Sequence, residues 1–203
     1  MLINKFTVIK GRKVLLVPYR EEHVVKYHKW MKSEELQRLT ASEPLTLEEE
    51  YEMQKSWQKD NNKCTFIILD KERYEMSGSE IDAMIGDTNL FFATPEDRLC
   101  AEAEIMIAEP WARGRRCGWE GMLLMIVYAV TYLDVKQFVV KISCDNLPSI
   151  SLFQSIGFIE MNRSTVFQEI TFSKLVDESW IDWIRNSLGK FDIEDSSANF
   201  PLD

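Results

Sequence analysis

The chain has 203 residues, enough for one domain with a substantial core, and its make-up (45% hydrophobic, 28% charged) is that of an ordinary globular protein. A formal net charge of −9 leaves no positive field to gather phosphates along a nucleic acid, so none is expected as a partner; a specific anionic ligand or a basic acceptor suits it better. Cys64, Cys100, Cys117 and Cys144 are scattered with no C-x-x-C pair, which speaks against a zinc site or a disulfide scaffold, and no metal is expected. The first ten residues lack an apolar signal core, and Met122 to Leu133 is too short to span a bilayer. No membrane contact is expected, and the compartment implied is the cytosol, with the nucleus left open.

In chain order, Lys10-Gly11-Arg12 reads as a turn into a compact apolar strand, Val14 to Val17, closed by Pro18. Glu21 to Met31 carries Val24, Tyr27, Trp30 and Met31 on an amphipathic helix, where His23 and His28 read as surface or packed residues. A second helix starts after Thr46, an N-cap followed by a glutamate-rich first turn that complements the helix dipole. The stretch between them, Leu39 to Pro44, reads as a loop able to border an acceptor site. Cys64 to Leu69 is a strand, and polar Lys71 to Asp82, with its Ser-Gly-Ser centre, reads as an exposed loop. Met84 to Phe92 is a strand in which Gly86 marks a bulge or a close backbone approach. A turn over Thr94 to Leu99 makes Ala101 to Ala108 its antiparallel partner, and Pro110 ends that strand.

The helix Gly118 to Leu133 is apolar almost all round and must be buried against a sheet. Phe138 to Cys144 is another strand, after which Asp145 to Ser149 opens a helix with Pro148 in its first turn. Gly157 to Ile159 and Val166 to Phe172 read as a closing strand pair. Asp177 to Leu188 is an amphipathic helix ended by Gly189, either packed on the domain or offering Trp180 and Trp183 to a partner. Domain limits follow: one domain over 1–175, an accessory helix over 176–189 and a disordered acidic tail over 190–203.

Two stretches carry chemistry. Glu102 and Glu104 are two apart, so both point to one face of their strand. Either can serve as a general base, since a carboxylate on a sheet face can take a proton from a bound group. A carboxylate ordinarily titrates near ~4.3, and partial burial raises it toward a useful value. A solvated face is the plain alternative. Immediately downstream, a strand, a basic glycine-bearing loop and a helix N-terminus converge free N–H groups and a positive dipole on one spot, as phosphate sites do.

That loop, Arg113-Gly114-Arg115-Arg116-Cys117-Gly118, resembles the pyrophosphate loop (Q/R-x-x-G-x-G/A) of the GCN5-related N-acetyltransferases. The wider text K-V-L-L-V-P-Y, W-M-K-S-E-E-L-Q-R-L-T-A-S-E-P-L and E-I-M-I-A-E-P is similar to the N-acetyltransferase 9-like branch in particular, over roughly Gly11 to Phe172. The resemblance implies an α/β acyl-CoA N-acyltransferase (GNAT-type) fold, a mixed and mostly antiparallel sheet flanked by helices and splayed near the CoA. It implies acetyl-CoA as acetyl donor and an amine acceptor belonging to a protein, with direct attack and no covalent enzyme intermediate. In the family the loop amides (here Gly114, Arg115, Arg116, Cys117 and Gly118) meet the pyrophosphate, and Arg113 holds the motif's first position. The main chain of Met106, Ile107 and Ala108 would serve the pantetheine arm, and Asn146 and Ser149 would face the same arm. Asn146 is equally a helix cap.

Two positions depart from the family. Arg116 stands where the inner glycine belongs, and if that position needs positive φ, a non-glycine costs on the order of 1–3 kcal/mol. Its guanidinium either obstructs the phosphate or adds charge to it; with Trp119 adding bulk, obstruction is the reading taken. Phe153 stands where many relatives have a proton-donating tyrosine, with Tyr128 and Cys144 as substitutes. Cys117 and Cys144 read as structural thiols rather than acyl carriers. These departures define the rival reading, a non-catalytic interaction module on the same fold.

Overall fold

The computed structural model describes residues 2–94 and 98–195. Nine strands form one sheet in the order β7-β8-β6-β5-β4-β3-β2-β1-β9: β1 (Thr7–Lys10), β2 (Val14–Pro18), β3 (Lys63–Asp70), β4 (Met84–Phe92), β5 (Cys100–Ile107), β6 (Gln137–Ser143), β7 (Ile159–Ser164), β8 (Glu169–Leu175) and β9 (Asp192–Asp195). Every neighbouring pair is antiparallel except β5 and β6. The expected α/β architecture, mixed and mostly antiparallel, is the one found.

Two packed layers cover the sheet. Under one face lies α6 (Cys117–Tyr132), with α7 (Leu147–Ser155) beside it. Outside α6 runs α8 (Glu178–Leu188), so α6 is clamped between sheet and helix, which is why its residues, the buried Glu120 apart, are apolar almost all round. Trp180 seals the contact: its indole N–H donates to the Ile156 carbonyl at 2.7 Å and its ring meets Phe138 and Phe158. The other face packs against α1 (Val24–Trp30), α2 (Glu34–Leu39) and α3 (Leu47–Lys59). The start of α3 is fixed by a capping box in which Thr46 and Glu49 satisfy each other's backbone N–H groups.

Three stretches differ from the sequence expectation. Residues 71–82 form two short helices, α4 (Lys71–Ser77) and α5 (Glu80–Ala83), in place of a loop. The Asp70 carboxylate caps the first, Gly78 ends it at φ 67°, and Ser79 caps the second, so the Ser-Gly-Ser centre is a stop and a start. The N-terminal stretch supplies β1, and β9 pairs with β1 across Ile9 and Ile193, so residues 192–195 of the expected tail are ordered strand. An edge strand's unpaired N–H and C=O groups recruit that partner, helped by the Lys10–Glu194 ion pair and by Phe191 and Ile193 against the core. Residues 196–203 lie outside the described residues. No helix among the described residues is long and apolar enough to cross a membrane.

Candidate functional site

β5 and β6 pair only over Cys100–Glu102 with Gln137–Val139. Beyond that point β5 stays with β4 as far as Ile107, while β6 stays with β8 as far as Ser143. The two strands therefore part, and a wedge opens whose apex is Glu102 and Val139. Gly86 helps to bend β5 away. A Cβ there would lie 1.9 Å from the Met106 carbonyl oxygen, and the N–H groups of Ala108 and Glu109 both reach the Ile85 carbonyl, at 2.8 and 3.2 Å. This is bulge geometry that only glycine admits. Of the expected pantetheine residues, Ala108 thus spends its amide on β4. Met106 turns its side chain into the α1–α3 face, and the Ile107 carbonyl accepts from Arg113 Nε at 3.0 Å.

Because β5 and β6 are parallel, α6 and α7 both begin at the wide end of the wedge. The loop into α6 has Gly114 at φ 72° and Arg116 at φ 65°. Among the described residues, the backbone N–H groups from Gly114 to Trp119 make no well-formed hydrogen bond within the chain. Residues of positive φ placed just ahead of a helix turn backbone donors toward one spot, a nest suited to a diphosphate. Gly118 packs closely under β5: a Cβ would meet Ile107 Cγ1 at 3.2 Å, a contact that the isoleucine side chain would have to relieve by a few tenths of an ångström. The side chains are arranged around this nest rather than in it. Arg113 also pairs with Glu35 at 3.3 Å, Arg115 lies 3.7 Å from the Asp70 carboxylate, and the Arg116 guanidinium stacks 4.1 Å from the Trp119 ring. Cys117 is buried, and burial pushes its thiol up. Asn146 caps α7 by accepting from the Ser149 N–H at 3.2 Å.

At the apex the paired glutamates are unequal. Glu102 is held by Lys141 Nζ at 2.6 Å. The Glu104 carboxylate has no hydrogen bond or ion pair among the described residues, and the residue is exposed, with enough protein nearby to disfavour its charged form. That crowding raises its pKa, repulsion from Glu102 pushes the same way, and Lys63 and Lys141 oppose both.

Beside Glu104 runs a polar row that the sequence reading missed, because β3 and β4 read as simple apolar strands. Thr65, Asn89 and Glu104 lie in register across β3, β4 and β5, as do Lys63, Phe91 and Glu102. Thr65 Oγ1 donates to Asn89 Oδ1 at 2.6 Å, and Asn89 Nδ2 donates to Asp87 Oδ2 at 2.7 Å. Lys63 is buried between the rings of Trp57 and Phe91, 3.3 and 3.9 Å from their centroids, and burial lowers its pKa to about 8. The signal was present: polar residues at alternate positions 63, 65, 87 and 89 of otherwise buried strands mark one face. The substitutes for the missing tyrosine do not converge here. Phe153 packs on Phe158, the Tyr128 hydroxyl donates to the Ile3 carbonyl, and Cys144 is approached by Arg163 at 3.9 Å. Away from the wedge, Glu22, His23 and Glu80 bring ligand atoms within 4.8 Å of one another, but Arg20 already bonds both glutamates.

Residues 13–159 match the acetyltransferase (GNAT) domain family. The chain belongs to it. A GNAT relative from Drosophila melanogaster, named alpha/beta-tubulin-N-acetyltransferase 9, is 51% identical over 188 residues, covering 91% of this chain and 94% of its own. Among solved structures, a Vibrio cholerae spermidine N-acetyltransferase in complex with CoA and spermine superposes with a TM-score of 0.68 at 17% identity, over 80% of this chain and 95% of its own. An alpha-N-protein acetyltransferase (RimL) in complex with coenzyme A does so with a TM-score of 0.67 at 14% identity, over 82% and 96%. These two share the GNAT fold. The features this chain brings to such a cofactor fit it: unpaired amides ahead of α6, a second helix N-terminus at Asn146, and a β5 edge freed from β6.

Proposed function

We propose that the chain transfers an acetyl group from acetyl-CoA to an amine on a protein, with Glu104 as general base. The observation that carries this reading is the placing of two features on one wedge: the amide nest at its wide end and an unpaired carboxylate next to its apex. Bound there, acetyl-CoA would supply a thioester carbonyl for attack. The residues that would hold it are the amides of Gly114 to Trp119, the free edge of β5 around Ile107, and the α7 N-terminus at Asn146 and Ser149. Glu104 then takes the proton from the acceptor's ammonium, directly or through one water. Its raised pKa makes it a stronger base than a glutamate in open solvent. Lys141 keeps Glu102 occupied, so one carboxylate of the pair is available.

The acceptor is reached from the α1–α3 face, where Glu104 points. The name of the Drosophila relative makes tubulin the first acceptor to test, and a cytoplasmic place goes with it. Replacing Glu104 by Gln is expected to lower transfer about a hundredfold at pH 7.5, with acetyl-CoA affinity held within twofold by calorimetry. Unchanged turnover removes Glu104 from the chemistry. If neither protein binds acetyl-CoA, the non-catalytic reading takes its place.

A further inference from the structure

Asp87 is buried (2% exposed), and a lone carboxylate in that position needs a reason. Asn89 gives it one well-formed hydrogen bond, to Oδ2, while Oδ1 makes none, the Tyr27 hydroxyl lying near enough only to lower the carboxyl's pKa. Among the described residues no cation lies within ion-pairing distance of it; Lys63, the cation whose charge reaches it, is held between two rings. Its place is not arbitrary. Asn89 faces Glu104 across β4 and β5, and Asp87 faces Met106, so the two carboxyls are diagonal neighbours on one face. The groups facing Asp87 are Glu104 from β5, Lys63 from β3, Tyr27 from α1 and Tyr19 just after β2. The nearest acid of α3, Glu50, is engaged with His28 at 3.5 Å.

We infer that Asp87, oriented by the Thr65–Asn89 hydrogen bonds, is a positioning residue that sets how strongly Glu104 holds its proton. This rests on the reading of Glu104 as the base. Burial pushes the Asp87 carboxyl up to about 7, and the Asn89 hydrogen bond opposes that rise. The charge of Glu104 adds to that rise, so the two carboxyls titrate as a coupled pair. As pH passes neutrality Asp87 gains charge, and repulsion between the two makes Glu104 a stronger base. Across that diagonal the repulsion raises the pKa of Glu104. Apparent pKa values then belong to the pair, and the base strengthens over the range where amine acceptors begin to deprotonate.

The test uses the full chain with 13C-labelled glutamate side chains, the Glu104 signal being assigned by its loss in Glu104→Gln. In the wild type the Glu104 carboxyl carbon is expected to titrate in a large step and a smaller one near pH 7. In Asp87→Asn the second step vanishes, and the pH profile of kcat loses its inflection near neutrality while the KM for acetyl-CoA stays within twofold. Asn89→Ala, which keeps the carboxyl but removes its hydrogen bond, moves the second step to higher pH. A single step in the wild type, or a second step that survives in Asp87→Asn, overturns the proposal. So does a coupling seen by NMR that leaves the pH profile of Asp87→Asn unchanged. The NMR titration needs no turnover, so a chain inert even as wild type sinks the reading of Glu104 as base without imitating either NMR result.

Discussion

The two faces of this one sheet are built on opposite principles. The face under α6 is mostly apolar: Phe66, Ile68, Phe138, Val140 and Phe172 meet α6, the buried polar groups Thr88 and Glu120 are each hydrogen-bonded, and α8 closes the outside with Trp180. The face under α1–α3 interrupts a comparable apolar surface with Lys63, Thr65, Asp87 and Asn89, all buried, and ends at Glu104. Burying such groups costs free energy unless partners compensate, and Asp87 is only half compensated. The difference teaches where stability is made and where it is given up. The first face holds the wedge open by anchoring β6 and β8, and the second spends part of that stability on a polar seam aimed at the acceptor side.

The largest test of this contrast is on the mostly apolar face. Replacing Trp180 by Ala removes a ring packed on Phe138 and Phe158 and leaves the Ile156 carbonyl without its donor. The expected cost is about 3–5 kcal/mol in urea denaturation. A loss below about 1 kcal/mol would mean that α8 is not part of the core, and the two faces would no longer differ in kind.

The polar face should respond in the opposite direction. Between pH 4 and 7 the unfolded chain has released the Asp87 proton while the folded chain still holds it, from an ordinary value of 3.8 up to about 7. Folded stability from this group is therefore complete at low pH and is lost as pH rises to 7. Asp87→Asn removes that loss. Relative to wild type, the variant is expected to gain on the order of 3 kcal/mol between pH 4.5 and 8. A stability difference that stays flat across that range would mean Asp87 ionises normally, and the seam would carry no strain.

Much of the first face was legible in the chain, and little of the second. Thr46 with Glu49, the apolar run of α6 and the Trp180 stripe of α8 are local patterns, and local patterns survive translation into structure. The wedge was legible only through resemblance, since parting strands leave no mark of their own on β5 or β6. Lys63 and Asp87 are 24 positions apart and share a face only through the β3–β4 register. Partners of that kind are set by register, which depends on a bulge at Ile85 that no sequence period announces. Helices α4 and α5 were missed for a different reason: they are short and polar, and their caps are the same residues that mark loops.

The smallest effect is expected where the chain departs most from its family. At Arg116 the backbone already adopts the left-handed conformation that the inner glycine of the motif would take, at φ 65°. For a residue with a Cβ this costs roughly 1–2 kcal/mol. Stacking on Trp119 at 4.1 Å, with Trp119 braced edge-on by Trp183, returns about 0.5–1 kcal/mol. Arg116→Gly deletes both terms, so the variant is expected to be as stable as wild type or more so by no more than about 1 kcal/mol. The same geometry speaks on cofactor binding. A guanidinium stacked on an indole neither fills the nest nor needs to contact a phosphate, and the amides of Gly114 to Trp119 are unpaired with the arginine in place. Acetyl-CoA affinity in Arg116→Gly should therefore stay within about threefold of wild type, equivalent to roughly 0.65 kcal/mol, at low and high salt alike. Tenfold tighter binding would show that the arginine obstructs. Weaker binding with a flatter salt dependence would show that it leaves Trp119 to meet the phosphates.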